Sequence, residues 1–200
     1  MARRRSWSRL KEQVWSMIEE DRLIGYLDPG IEEVLGKLNR IPLIATTSSC
    51  IGRITIIDGV RPWDRRDSLI VYKTHTRPMP SEVHRVLSRP FRNLWIKATG
   101  PILHLRTPSI QCASWTLEVF RPHGFKHSGI ISLDQAKGYT VELMSGVDVT
   151  APIRLDGRDI VEPGRVQEIL DRVMDYIEDA RRGLAEAAER LEASPGPCGP

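Results

Sequence analysis

Between Ile44 and Asp58 the chain reads IATTSSCIGRITIID, two runs of strand-forming residues divided by four hydroxyl side chains, a thiol, a glycine and an arginine. β-Branched residues favour extended backbone. The pattern therefore predicts strands at Leu43 to Thr47 and Arg53 to Ile57, with Asp58-Gly59 closing the second. At the junction, Thr46, Thr47, Ser48 and Ser49 offer hydroxyls, Gly52 lets backbone approach a ligand, and Arg53 can clamp a carboxylate or phosphate. That is the composition of an anion- or nucleotide-binding turn, and also of a plain hairpin with polar turn residues.

The rest of the chain alternates helical and strand periods. Leu10, Val14, Met17 and Ile18 recur at helical spacing from Trp7 to about Glu20. A second helix is predicted at DPGIEEVLGKLN, with Asp28 as cap, Pro29 in the first turn and Ile31, Val34, Leu35 and Leu38 as the buried stripe. Ser68 to Lys73, Leu94 to Thr99, Ile102 to Arg106, Gly129 to Leu133, Tyr139 to Met144 and Ala151 to Leu155 read as strands. Ser81 to Leu87 reads as a helix, as does TPSIQCASWTLEVF with a Thr107 cap. From Pro163 to about Leu191 a helical stripe runs from Val166 to Leu191, and SPGPCGP cannot continue it. The expected fold is α+β: one domain over residues 1–191, a mixed sheet flanked by helices, a long C-terminal helix and a flexible tail at 192–200.

The chain has 200 residues, 40% of them hydrophobic, enough for one sizeable core. No apolar run nears the roughly 20 residues of a membrane-spanning helix, and MARRRSWSRLKEQVW is too polar for a signal peptide. Cys50, Cys112 and Cys198 form no CxxC pair, so reduced thiols in an intracellular protein are expected. Charge is uneven: residues 1–100 carry 18 Lys+Arg against 11 Asp+Glu, and residues 101–200 carry 11 against 15. The stretch from Arg61 to Lys126 is the most basic, which suits a polyanion such as RNA, although charges that mix over a solvated surface give the same count.

Other signals are weaker. A lone Cys50 without a protease signature is more often a small buried residue than a nucleophile. His123 and His127 are four apart, but Pro122 and Gly124 argue against the helix that would align them, so no metal is expected. No G-x-G occurs anywhere, which removes the Rossmann fingerprint and leaves a non-Rossmann architecture for any nucleotide-based cofactor. In GPILHLR, His104 shares a strand face with Ile102 and is aimed either into a cleft or at a strand edge. GFKHSGII ends in Ser128 and Gly129, a place for close approach by a ligand or simply a loop.

In this order and at these separations, GYLDPGI, TTSSCIGRI, THT, GPILHL and GFKHSGI resemble the wybutosine-synthesis tRNA methyltransferase family, over roughly Leu10 to Leu191 and most like an archaeal member. The resemblance implies S-adenosylmethionine as methyl donor, a non-Rossmann fold, and the N(4) position of a tricyclic wyosine-type guanosine next to the anticodon of phenylalanine tRNA as acceptor, in the cytoplasm. Carried over by position, Ser48, Ser49, Cys50, Gly52, Arg53, Ser128 and Gly129 would line the cofactor. Asp28, and after it His104, would act as base. Arg65, Arg66, His75 and Arg92 would meet the anticodon arm. A non-catalytic RNA-binding accessory protein is the alternative reading of the same basic surface.

Overall fold

The computed structural model describes residues 2–134 and 138–199, with side chains from residue 7 onward. Among these residues run α1 (Ala2–Leu23), α2 (Glu32–Arg40), β1 (Ala45–Cys50), β2 (Arg53–Gly59), β3 (Ser68–Thr74), α3 (Pro80–Leu87), β4 (Leu94–Thr99), β5 (Ile102–Thr107), α4 (Ile110–Phe120), β6 (Gly129–Asp134), β7 (Gly138–Met144), β8 (Asp148–Leu155), β9 (Arg158–Asp159) and α5 (Pro163–Ala193). Contacts gather them into two compact units. The chain passes from one to the other after Ile51, Gly100, Gly146 and Asp179, so that α5 is shared.

In the first unit an antiparallel sheet runs in the order β1-β5-β7-β6. Strand side chains alternate between faces. Leu103 and Leu105 of β5 and Val141 and Leu143 of β7 therefore form one buried face, each at most 1% exposed. They share a core with Val34, Leu35 and Leu38 of α2, Cys112, Ala113, Leu117 and Phe120 of α4, and Leu184, Ala187, Ala188 and Leu191 of α5, the three- and four-residue spacings of amphipathic helices. Phe120 and Phe125 meet edge to face, with centroids 5.6 Å apart. The buried amide of Asn39 ties α2 to β1: Nδ2 donates to Leu35 O and Thr46 Oγ1, and Oδ1 accepts from Thr46 N. Lys11 of α1 donates to Asn39 O, Ile41 O and Ile44 O, satisfying carbonyls at and beyond the C-terminal end of α2. Those carbonyls favour the ammonium, but burial outweighs them and pushes Lys11 down to about 8.

In the second unit the antiparallel order is β3-β2-β4-β8-β9. Ile54 and Ile56, Leu94, Ile96 and Ala98, and Ile153 from the central strands share a core with Val83, Val86 and Leu87 of α3 and with Val166, Leu170, Val173, Met174 and Ile177 of α5.

The α+β class and the long C-terminal helix are as expected. The single mixed sheet is not: among the described residues there are two sheets, and every pairing is antiparallel. β1 and β2, adjacent in sequence, lie in different sheets, so neither neighbouring strands nor a hairpin forms there. The backbone groups that would close a hairpin have other partners. Ile51 N donates to Asp28 Oδ2 at 2.9 Å, and Ile51 O accepts from Arg181 Nε at 2.9 Å. Asp28 consequently does not cap α2, which starts with no side-chain cap. Ser109, rather than Thr107, caps α4 by accepting from Cys112 N.

The tail also departs from expectation. Cys198 is fully buried in a 3-10 turn at Gly196–Cys198, its carbonyl accepts from Leu43 N at 3.2 Å, and its sulfur is bonded to Cys112, 86 residues earlier. Reduced thiols were expected at both positions. Spacing along the chain carried no sign that the fold brings these two together.

Candidate active site

The hydroxyl run lies on β1 itself, not in a turn, and its four members do different work. Thr46 is buried against Asn39, and Thr47 Oγ1 donates to His104 O at 3.2 Å. A register shift between Thr46 and Ser48 in the β1/β5 pairing brings Ser48 directly opposite His104. His104 is in turn opposite Glu142 on β7, and Glu142 is opposite Gly129 on β6.

Directly opposed residues share a sheet face. Ser48, His104, Glu142 and Gly129 thus make one row across all four strands, on the face that the core does not use. Side chains along the row are in contact: Ser48 Oγ lies 2.6 Å from His104 Nδ1, and His104 Nε2 lies 2.8 Å from Glu142 Oε2. His104 and Glu142 are roughly 30% exposed, at 31% and 28%. Gly129 ends the row in open space, since a Cβ there would meet no heavy atom within 4 Å. A hydroxyl, an imidazole and a carboxylate hydrogen-bonded in series can take up a proton at one end and stabilise the resulting charge at the other.

The other predicted residues of this unit divide. Cys50 falls on the row's face, opposite Ile102, and is not disulfide-bonded. Ser49, opposite Leu103, alternates to the other face. Asp28 orders the turn after β1 through Ile51 N. Ser128 does not present its hydroxyl to a ligand: it is 5% exposed and its Oγ accepts from Met144 N at 3.0 Å, pinning the loop before β6 to the end of β7.

In the second unit Gly52 has φ +91°, and a Cβ there would sit 2.9 Å from both Gly100 C and Thr99 O. Backbone packing alone demands glycine. Arg53 is exposed, and its guanidinium makes no hydrogen bond or ion pair among the described residues. His75 follows β3 and is half-buried. Arg65 is exposed, whereas Arg66 pairs with Asp64 at 2.9 Å and Arg92 with Asp156 at 3.1 Å. Both pairs are exposed on the arginine side and weak, so a phosphate can displace either carboxylate. The same loop holds Trp63 at 70% exposure, a ring open to base stacking that the arginines around it could have signalled.

The family model described as Methyltransferase TYW3 matches residues 2–193. This chain belongs to the TYW3 methyltransferase family. An Aeropyrum pernix relative, named tRNA(Phe) 7-((3-amino-3-carboxypropyl)-4-demethylwyosine(37)-N(4))-methyltransferase, is 44% identical over 173 residues, covering 86% of this chain and 92% of the relative. A Saccharolobus solfataricus protein of the same name is 37% identical over 171 residues, covering 82% of this chain and 79% of its own. Among solved structures, a hypothetical protein from Aeropyrum pernix matches with TM-score 0.76 and 42% identity over 83% of this chain and 98% of that one. A Pyrococcus horikoshii protein shares the fold alone, with TM-score 0.84 at 24% identity over 96% of this chain and 98% of that one. The resemblance read from the motifs is therefore correct, and the TYW3 chain is an enzyme of the methyltransferase class. Besides Trp63, sequence reading missed Glu142 and Arg181. Glu142 is the only charged residue in the strand run YTVELM, on its polar alternation, and that is the one signal that pointed to it.

Proposed function

We propose that this protein methylates N(4) of the tricyclic wyosine-type guanosine beside the anticodon of tRNA(Phe), using S-adenosylmethionine, in the cytoplasm. Family membership supports the reaction class, and the names of the relatives support the acceptor. The observation that carries the chemistry is the hydrogen-bonded row of Ser48, His104 and Glu142 on the face of the sheet away from the core.

The donor supplies an electrophilic methyl carbon on a sulfonium, so little covalent help is needed and the protein has chiefly to orient and to manage a proton. The acceptor nitrogen must lose its proton as the new N–C bond forms. That proton passes to Ser48 Oγ, the Ser48 proton passes to His104 Nδ1, and the N–H electron pair stays on nitrogen while the methyl–sulfur pair leaves with the thioether. On this reading His104 stands ahead of Asp28 as proton acceptor, because its ring is hydrogen-bonded between a hydroxyl and a carboxylate, whereas Asp28 Oδ2 orders the turn after β1.

Arg53 suits such a donor, since its exposed guanidinium is open to a carboxylate. Arg65, with Arg66 and Arg92 once displaced from their carboxylates, and His75 would meet RNA phosphates, giving affinity that falls as salt rises. Labelled methyl transfer to tRNA(Phe) lacking the N(4) methyl, together with calorimetric titration of S-adenosylmethionine, tests the reading. Transfer by the parent protein is expected, and Arg53→Ala should raise the KM for the donor about 10- to 150-fold, the worth of a charged hydrogen bond of roughly 1.5 to 3 kcal/mol. A protein that binds tRNA but neither binds the donor nor transfers the label is an accessory RNA-binding module.

A further inference from the structure

Glu142 takes no part in the core of the first unit's sheet. The sheet's core face is made by Leu103, Leu105, Val141 and Leu143, while Glu142 stands on the other face beside a residue with no side chain, Gly129. Its carboxylate nevertheless lies 2.8 Å from His104 Nε2, and His104 Nδ1 lies 2.6 Å from Ser48 Oγ. An ionised carboxylate only accepts hydrogen bonds. Nε2 must therefore carry a proton, and in the neutral ring Nδ1 is then the unprotonated nitrogen, facing the one hydroxyl it contacts.

We propose that Glu142 is a positioning residue for the methyl transfer: it holds His104 in the Nε2-protonated tautomer, so that Nδ1 stays available to Ser48 and, through Ser48, to the proton that the acceptor nitrogen gives up. The proposal rests on the reading of His104 as proton acceptor. It adds a role for a residue that neither the motifs nor that reading requires. Once His104 takes the proton it is an imidazolium, and the same carboxylate becomes its counter-charge on a half-buried face, where a charged hydrogen bond is stronger than in water. Other groups on this face of the strands are Cys50 on β1, Ile102 and Arg106 on β5, Ser132 and Asp134 on β6, and Thr140 and Met144 on β7. None of the hydrogen bonds that hold the His104 ring comes from them.

The test combines three variants with two readouts. Long-range proton–nitrogen NMR spectra of the ligand-free protein report the tautomer of each of the five histidines, and His104→Gln assigns the His104 signals. Parent protein should show neutral His104 protonated at Nε2. Glu142→Ala should lose that preference. Glu142→Gln, whose amide oxygen can still accept from Nε2 but carries no charge, should keep it. In the labelled-methyl assay both Glu142 variants should lower kcat by about 10- to 100-fold, Glu142→Ala because the ring loses its orientation and its counter-charge and Glu142→Gln because the imidazolium loses its counter-charge alone, with the KM for the donor within about 2-fold of the parent. A merely structural role would move neither the tautomer nor the ratio of kcat to KM effects. Should Glu142→Ala fail to fold, the near-isosteric Glu142→Gln still decides through kcat.

An unchanged tautomer in Glu142→Ala, or kcat within about 2-fold of the parent in Glu142→Gln, would overturn the proposal. If His104→Gln keeps full turnover while Glu142→Ala still shifts the tautomer, the proton-acceptor reading fails and the catalytic role of Glu142 falls with it. If His104→Gln loses turnover while Glu142→Ala changes neither readout, the Glu142 proposal alone falls.

Discussion

Gly52 stands in the motif for one of two reasons, and a single methyl group separates them. If it is there to admit a ligand, adding a Cβ blocks binding and leaves the fold intact. If it is there for the backbone, the same Cβ unfolds the protein more easily. The geometry favours the second. At φ +91° a non-glycine residue costs about 1–2 kcal/mol. The new Cβ would lie 2.9 Å from Gly100 C, 2.9 Å from Thr99 O and 3.0 Å from Ile177 Cγ2. Two of these three are backbone atoms at the end of β4, which cannot rotate away, and such overpacking costs roughly 1–3 kcal/mol more. Gly52→Ala should therefore destabilise by about 3 kcal/mol, or about 6–12 °C in Tm for a chain of this size. Gly129→Ala is the matched control: its Cβ meets nothing within 4 Å, so Tm should stay within about 2 °C. Thermal unfolding by circular dichroism, paired with donor titration below the transition, reads both effects. A Gly52→Ala protein with parental Tm and weakened donor binding would refute the packing argument and restore the ligand one.

Two further outcomes are expected. Burial pushes Lys11 down to about 8 while the unfolded chain keeps the ordinary lysine value of about 10.4. Between those values the unfolded state holds more protons, so this contribution is full above about pH 10.4 and is lost as pH falls to about 8. Urea unfolding of parent against Lys11→Met should show the parent gaining on the order of 1 kcal/mol relative to the variant across that window, discounted for the partial exposure of Lys11, and a difference independent of pH would contradict the shift. The Cys112–Cys198 bond closes a loop of 86 residues, so reduction should destabilise the parent by about 2–4 kcal/mol and leave Cys198→Ser unaffected. Alkylation of denatured, unreduced protein should label Cys50 alone, and three labelled thiols would count against the bond.

Local periodicity determined much of this protein. The stripes of α2, α4 and α5 and the β-branched runs of β2 and β4 set the elements, because helix and strand patterns repeat over a few residues and need no distant partner to be recognised. The motif residues and their order were enough to find the family. Pairing was beyond local reading. β1 and β2 adjoin in sequence yet join different sheets, because Ile51 is held by Asp28 and Arg181, from 23 residues before and 130 after, in place of hairpin hydrogen bonds. The same holds for the row Ser48, His104 and Glu142, separated by 56 and 38 residues, and for Cys112 with Cys198. Residue type and spacing state which groups can donate, accept or bond. Which groups meet is decided by strand register and by the burial of one sheet face, and both exist only once the chain has closed on itself.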